Sequence, residues 1–167
     1  MLAGGGPSDV VELTILLARE MLDLAGLPDA DPAQALRDGR AMDSWRRLIQ
    51  AQGGDPDAPL PVAAESDILR ADVGGVVTRL DAMSVGVAAW RLGAGRARKE
   101  DAVSAGAGIR LHVKPGDVVE AGAPLMTLLA DDPGRFGAAR EALTGAVVVS
   151  AVGSTIERLP LMIDRLT

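Results

Sequence analysis

The segment from Val113 to Leu125 constrains the fold more than any other part of the chain, because it spaces two turns around a very short strand. Its sequence is Val-Lys-Pro-Gly-Asp-Val-Val-Glu-Ala-Gly-Ala-Pro-Leu. Pro115 has a fixed φ and Gly116 tolerates a positive φ, so this pair predicts a tight turn. The next two valines predict a short strand, and Gly122 predicts a second turn.

An apolar run from Pro124 to Leu129 follows the second turn and predicts a longer strand. This order of turns and strands is typical of the hairpin in barrel-sandwich domains, a shape shared by biotinyl and lipoyl carriers and by hammerhead-like domains. A carrier needs an exposed lysine at a hairpin tip. Lys99 lies in an arginine-rich loop and Lys114 abuts the Pro-Gly turn, and these are the only lysines of the chain. A carrier module therefore stays an alternative, as does a non-enzymatic interaction module.

Composition excludes several classes of function. The net charge of −6 repels phosphate backbones, and two Trp, one Phe and no Tyr offer few surfaces on which bases stack, so we expect no nucleic-acid partner. The absence of Cys excludes disulfides and thiolate metal sites, and it fits a reducing compartment. No apolar run reaches the roughly 18 residues of a membrane span, and the first residues lack the pattern of a signal peptide. We expect a cytoplasmic protein without a membrane partner.

The first part of the chain, residues 1–52, is predicted to be helical. Asp9, with Glu12 three residues later, predicts the start of a largely buried helix with a Leu-rich stripe that stops at Gly26. Asp31 ahead of a proline predicts the cap of a second, short helix. A third helix is predicted over residues 41–52. Residues 53–65 are rich in Gly, Pro and Asp, which predicts a linker.

Residues 66–167 are predicted to form a separate domain in which strands alternate with two helices. One helix is expected to run from Ser84, as its cap, to Leu92, with Gly93 as its terminator. The other is expected to start at Pro133 and end near Leu143. Strands are predicted at 68–73, 76–80, 118–119, 124–129 and 147–150, and around Leu159 to Ile163. Strands are expected on both sides of the Pro-Gly turn. The fold class is therefore α+β.

Few residues have the setting of a catalytic group. His112 is the only histidine, and we expect it to have a structural or surface role. A nucleophilic site drawn with Ser104 or Ser84 lacks the strained turn that exposes such a serine. The acidic pair Asp131 and Asp132 precedes a proline and is predicted to cap a helix. This pair and the second acidic pair, Glu65 and Asp67, are both of the sort that serves acid-base work or holds a divalent cation, but no metal site is predicted.

The loop that follows the helix predicted from Ser84 to Leu92 is the main candidate site. Gly93, Ala94 and Gly95 allow close approach of another group to the backbone, and Arg96, Arg98 and Lys99 are positioned to contact an anion. The loop follows a helix instead of leading from a strand into one, so a helix terminus with cations near its negative end is the simpler interpretation.

Six short motifs, in this order, resemble the C-terminal part of pyrimidine-nucleoside and thymidine phosphorylases over essentially the whole chain. They are the Gly-Gly-Gly-Pro stretch at 4–7, Asp38-Gly39-Arg-Ala-Met, Ala51-Gln52-Gly53-Gly54-Asp55, Leu92-Gly-Ala-Gly-Arg96, Ala107-Gly108-Ile109 and Gly116-Asp117-x-Val119. The Gln-Gly-Gly-Asp stretch at 52–55 and the Leu-Gly-Ala-Gly-Arg segment, with the Lys-Glu-Asp that follows at 99–101, are the most specific of them.

The resemblance implies that residues 1–52 are the tail of an α/β domain and that residues 66–167 are a C-terminal hammerhead domain. In this family an N-terminal helical domain and the α/β domain hold phosphate and nucleoside across a cleft. The phosphate-binding and base-gripping motifs lie upstream of the segment that Met1 begins, so we expect no catalytic, substrate-binding or cofactor-binding residue here. Phosphate is then the co-substrate of the longer protein, and the chain is a fragment, a truncated form or a split subunit.

The resemblance also assigns a role to the Gly93 to Lys99 loop. In the phosphorylases the corresponding loop faces the α/β domain, which implies that it braces the closed cleft while catalysis is done elsewhere. The expected partner is the preceding part of the phosphorylase, and the complete protein is expected to be a homodimer.

Overall fold

The computed structural model describes residues 1–96, 98–157 and 160–164, which form two compact units. The first unit contains Met1–Ala58 together with the described residues near the C-terminus, and the second unit is Pro59–Glu157. In the described residues, no helix is long and apolar enough to cross a membrane.

The first unit consists of three helices, α1 (Ser8–Leu24), α2 (Pro32–Arg37) and α3 (Arg40–Ala51). The predicted cap of α2 is confirmed, because the carboxylate of Asp31 accepts hydrogen bonds from the second and third residues of the helix at 2.9 and 3.1 Å. The predicted cap of α1 is wrong. Pro7 occupies the N-cap position, and Asp9 lies inside the first turn, where its Oδ1 accepts from the amide of Val10.

The predicted burial of α1 is also wrong. None of the residues that the structure describes in α1 is buried, and the side chains of Leu17, Met21 and Leu24 are more than half exposed. The Leu-rich stripe is present, but a unit of about sixty residues has too little chain to cover it. Amphipathic spacing therefore predicted the helix correctly and its environment incorrectly.

The second unit contains two antiparallel sheets of three strands each. The strands are β1 (Glu65–Arg70), β2 (Gly75–Leu80), β3 (Gly108–Leu111), β4 (Val118–Val119), β5 (Pro124–Ala130) and β6 (Val147–Ser150). The strand order is β1-β5-β3 in one sheet and β4-β2-β6 in the other. The chain combines helices with sheets whose described strand pairs are all antiparallel, which confirms the α+β class.

The sequence of β5 is an almost continuous apolar run, and the burial of its side chains explains this pattern. Successive side chains of a strand point to opposite faces; one face of β5 is buried from Met126 onward, and the other is buried at Leu125 and partly covered at Thr127 and Leu129. Leu125 packs with Val77 and Val119 of the other sheet. Met126 and Leu128 point the other way and belong to a larger cluster with helical residues. The apolar run therefore reflects one face that is buried beyond its first residue and a second face that is buried at its start and partly covered beyond it.

Both turns predicted from the opening motif are confirmed. Gly116 has φ 98° and Gly122 has φ 80°, the left-handed region that glycine enters without steric cost. The amide of Asp117 donates to the carbonyl of Lys114 at 3.1 Å, and the Asp117 carboxylate accepts from the Lys114 amide at 2.8 Å. Strand β4, between the turns, pairs with β2 of the other sheet and not with β5. The two turns therefore form the connection of a wide hairpin between β3 and β5 and place Leu125 in the contact between the two sheets.

Two helices lie between strands of the second unit, α4 (Ala82–Ala89) and α5 (Phe136–Ala142). The predicted cap at Ser84 is wrong, because Asp81 precedes α4 and its Oδ1 accepts from the amide of Ser84 at 2.8 Å. A π-helical turn, Trp90–Ala94, continues α4, and a 3₁₀ turn, Pro133–Arg135, leads into α5. The strand predicted around Leu159 to Ile163 begins outside the described residues, and residues 160–163 are irregular.

Candidate functional site

The candidate loop begins where the π-helical turn ends. Gly93 has φ 111° and ψ 5°, so it ends the helix in the left-handed conformation expected of a glycine terminator. Its carbonyl oxygen accepts a hydrogen bond from the amide of Ser104 at 2.9 Å. This bond brings the two ends of the loop together, as in the compact surface loops that often carry function. We call residues 93–96 and 98–104 the cationic loop, and Gly93 and Ser104 its stem.

The predicted cations lie at the far end of the cationic loop from its stem. Arg96, Arg98 and Lys99 are all exposed. A guanidinium nitrogen of Arg96 donates to the carbonyl of Lys99 at 3.2 Å, and the amide of Arg98 donates to the carboxylate of Asp101 at 2.8 Å. The structure therefore brings the three predicted cations together on a segment that is folded on itself.

Trp90 packs directly against the backbone of the cationic loop. A Cβ added to Gly95 would lie 2.8 Å from Cδ1 of Trp90, so only glycine lets the indole ring approach this closely. The indole is still 44% exposed on its other side. Gly95 thus serves the packing of the loop, a role that the sequence pattern of the loop did not reveal.

Asp131, at the end of β5, connects three segments. It accepts a hydrogen bond from the hydroxyl of Ser104, and its other oxygen accepts from the amide of Ala64 at 3.2 Å. These bonds hold the pKa of the Asp131 carboxyl below its usual value, the Ser104 hydroxyl being the larger cause and the Ala64 amide the second. The carboxylate charge is thus shared between the stem of the cationic loop and the segment that leads into β1.

Two adjoining open cavities lie beside the cationic loop. The smaller has a volume of about 320 Å³ and the larger about 820 Å³, and both are lined by Ala102 and Arg135. Trp90, Arg91 and Asp101 line only the larger one. The larger cavity thus combines an indole face, two guanidinium groups and a carboxylate, a mixed lining suited to contact with another polar surface.

The remaining candidate residues are dispersed. His112 Nε2 lies 2.7 Å from the hydroxyl of Thr127 on the neighbouring strand, which is the structural role predicted for it. Of the acidic pair predicted to cap a helix, Asp132 caps the 3₁₀ turn by accepting from the amide of Gly134 at 2.9 Å, whereas Asp131 accepts from Ser104 and Ala64 instead. Asp67 forms a two-point ion pair with Arg140, with contacts of 2.6 and 2.8 Å.

The ion pair with Arg140 engages both carboxylate oxygens of Asp67, the residue that the sequence suggested for acid-base work. The Arg140 hydrogen bonds hold the pKa of the Asp67 carboxyl below its usual value, which favours a fixed charge over proton transfer near neutral pH. Among residues 1–96, 98–157 and 160–164, no three His, Asp or Glu side chains lie close enough together to hold a metal ion.

Sequence reasoning missed the contact between Ser104 and Asp131. The two residues lie 27 positions apart in the sequence, and no sequence motif relates them. The available signal was topological, since a residue that ends a central strand lies beside whichever loop crosses that edge. Without the strand order β1-β5-β3, that loop could not be identified.

Comparison with known proteins gives a consistent result. Residues 76–150 match the model of the pyrimidine nucleoside phosphorylase C-terminal domain. A thymidine phosphorylase of Mycobacterium tuberculosis is 53% identical over 166 residues, which is 99% of this chain and 38% of that protein. A pyrimidine-nucleoside phosphorylase of Bacillus subtilis is 42% identical over 141 residues, 78% of this chain and 33% of the relative. A pyrimidine-nucleoside phosphorylase of Staphylococcus haemolyticus is 39% identical over 138 residues.

The chain therefore spans between about a third and two fifths of the length of these relatives. The matched region of the family model covers β2 through β6 and includes the whole cationic loop. These matches confirm the resemblance predicted from the six motifs: the chain matches the C-terminal part of the thymidine and pyrimidine-nucleoside phosphorylase family.

Proposed function

We propose that the chain is the C-terminal portion of a phosphorylase of pyrimidine nucleosides, where it acts as scaffold and braces the closed form of the substrate cleft. The observation that carries this proposal is the 53% identity over 99% of the chain with the M. tuberculosis thymidine phosphorylase. The complete protein would convert a pyrimidine (2′-deoxy)nucleoside and phosphate to the free base and (deoxy)ribose 1-phosphate, in the cytoplasm. Phosphate is its co-substrate, and a homodimer its assembly.

The proposal also assigns an origin to each part of the chain, with bounds that differ from those of the two compact units. Residues 1–52 are the tail of an α/β domain, residues 53–65 a linker, and residues 66–167 a hammerhead domain. The half-exposed leucines of α1 support this division, because an apolar helix face of this kind is normally covered by neighbouring secondary structure. The Val113 to Leu125 hairpin and the contact of its Leu125 with the second sheet support the hammerhead assignment.

The chemistry of phosphorolysis makes a remote supporting role sufficient. The attacking group is phosphate itself, and the transition state is an oxocarbenium-like sugar that is stabilised by positioned phosphate and by polarisation of the leaving base. Both tasks fall to the part of the relatives that lies outside the matched region. This chain contributes a contact that favours cleft closure and the exclusion of water.

The cationic loop is the element proposed to make that contact. Its exposed Arg96, Arg98 and Lys99 are carried on a segment whose two ends are tied together. A tied loop loses little conformational entropy when it docks, so its cations contribute more of their interaction energy to closure. The adjoining cavity lined by Trp90 and Arg135 enlarges the surface available to the opposite wall of the cleft.

The test is phosphorolysis of thymidine and uridine by the purified chain, alone and after co-expression with the part of the M. tuberculosis relative outside the matched region. We expect free base only from the reassembled protein. Turnover by the chain alone would refute the scaffold role. Absence of turnover from an assembly that is shown to be complete by its mass would refute the assignment of the chain as a working phosphorylase portion.

The role of the cationic loop needs a charge-matched pair of variants. The double change Arg98→Ala with Lys99→Ala removes two exposed cations of the loop, and Arg110→Ala with Lys114→Ala removes two exposed cations elsewhere in the same unit. In the reassembled protein we expect the loop variant to lose about tenfold in kcat/KM and the control to lose less than about twofold. Equal losses would show that net charge, not the loop, is responsible.

A further inference from the structure

We propose that Asp131 is the positioning residue of the cationic loop and that it also orders the segment that enters β1. The inference rests on the proposed function for its consequence in closure, but the ordering of both segments by Asp131 is a property of the second unit. Asp131 holds Ser104 at the loop stem with one carboxylate oxygen and the amide of Ala64 with the other.

A contact at the stem restricts the whole loop, because the stem joins its two ends. Only one backbone hydrogen bond, from the Ser104 amide to the Gly93 carbonyl, is described as closing the loop. The Ser104 hydroxyl bond to Asp131 fixes the same residue from its side-chain end, and the amide of Ala107 donates to the Ser104 carbonyl at 3.2 Å. Ser104 is thus held through its amide, carbonyl and hydroxyl, and only the hydroxyl bond reaches another part of the fold.

The entering segment is held against the same place by a close backbone approach. A Cβ added to Gly106 would lie 2.5 Å from the amide nitrogen of Ala63 and 2.7 Å from the carbonyl carbon of Val62. Val62 itself is 86% exposed, so its apolar side chain adds little to this packing. The segment is therefore ordered mainly by backbone contact with Gly106 and by the hydrogen bond from Ala64 to Asp131.

A carboxylate suits this double role better than a neutral side chain. An ionised Asp accepts hydrogen bonds with both oxygens and donates none, so it satisfies a hydroxyl and an amide at once. Hydrogen bonds to a charged acceptor are also stronger than those between neutral groups. The depressed pKa of Asp131 has these same two donors as its causes. Loss of the carboxylate releases both segments, whereas loss of the Ser104 hydroxyl releases the loop alone.

This difference makes the proposal testable by hydrogen-deuterium exchange on the full chain, without any assay of phosphorolysis. Two peptides are followed, one covering residues 60–66 and one covering residues 98–107. We expect Asp131→Ala to speed exchange in both peptides by about two- to fivefold. Ser104→Ala should speed exchange in the 98–107 peptide only, and Ser104→Thr, which keeps a hydroxyl, should leave both peptides at the wild-type rate.

Asp117→Ala is the matched control, because it removes a carboxylate that accepts a backbone amide in another loop of the same unit. We expect it to leave both peptides unchanged. Wild-type exchange of the 98–107 peptide in Ser104→Ala would overturn the proposal, and so would a Ser104→Thr variant that behaves like Ser104→Ala. Asp131→Asn, which keeps the shape of the side chain and removes its charge, is the second variant if Asp131→Ala does not fold. Wild-type exchange of the 60–66 peptide in the Asp131 variant would also overturn the proposal. Failure of the reassembly assay, in contrast, would refute the proposed function and leave these exchange rates as they are.

Discussion

Replacement of Leu92 by alanine should destabilise the second unit by about 3 kcal/mol. Leu92 has no exposed surface and belongs to the cluster formed by β5, α4 and α5. A buried Leu→Ala change costs roughly 2 to 5 kcal/mol, and the cost is smaller where neighbours relax into the space. The cavity of about 320 Å³ that Leu92 helps to line provides such room, which favours the lower half of that range.

The corresponding shift in melting temperature is large enough to measure easily. For a unit of about 100 residues, 1 kcal/mol corresponds to roughly 4 to 8 °C, so the variant should melt about 12 to 24 °C below its parent. The two units need not unfold together, and a single transition is not assumed. The assay therefore needs a signal that belongs to the second unit alone.

Tryptophan fluorescence supplies that signal. Trp45 lies in the first unit and Trp90 in the second, and they are the only tryptophans, so a Trp45→Phe background leaves Trp90 as the sole indole. Urea and thermal unfolding are then compared for Leu92→Ala and for Val118→Ala, whose side chain is 72% exposed. We expect the control to change stability by less than about 0.5 kcal/mol. A Leu92→Ala variant as stable as this control would refute the assignment of Leu92 to the core.

Three further predictions concern single contacts of the second unit. Gly106→Ala places a Cβ 2.5 Å from the backbone of Ala63 and should cost about 1 to 3 kcal/mol, with a lower melting temperature; an unchanged one would contradict the close approach. The pKa of Asp81 is lowered from 3.8 to about 2, first because its carboxylate accepts from the Ser84 amide. The stability that this cap contributes is therefore fully present above pH 3.8 and is lost as the pH falls through about 2. Carboxyl NMR shifts should follow that titration, and a midpoint at 3.8 would exclude the cap. Asp67→Asn breaks a partly exposed ion pair with Arg140 and should cost about 1 kcal/mol by urea unfolding; a loss above about 2 kcal/mol would contradict this.

The parts of the fold that follow from a single local rule were predictable from the sequence. The turns at Gly116 and Gly122 need a positive φ, and glycine was present at both places. The longer strand was predicted from its apolar run, and it extends only one residue further than expected, to Ala130. In each case one residue type had one structural explanation.

The two N-cap predictions failed because several neighbouring residues suit the start of a helix. Asp81 and Ser84 both suit an N-cap, as do Ser8, Asp9 and their neighbours, and the sequence does not state which one starts the helix. The candidate site showed the same limit. Its cations were found because they lie together in the sequence, whereas the contact between Ser104 and Asp131 required knowledge of the strand order.

The hairpin from Val113 to Leu125 and the cationic loop are related through strand β5. At its start, Leu125 joins the packing between the two sheets, and just beyond its end Asp131 holds the loop stem and the segment before β1. Met126, Leu128 and Ala130 lie between these points with no exposed surface, so the strand is fixed along its length by packing. A rigid strand keeps Asp131 in place even though that residue itself is exposed. The hairpin anchors the strand that positions the loop, and this is its contribution to the proposed closure.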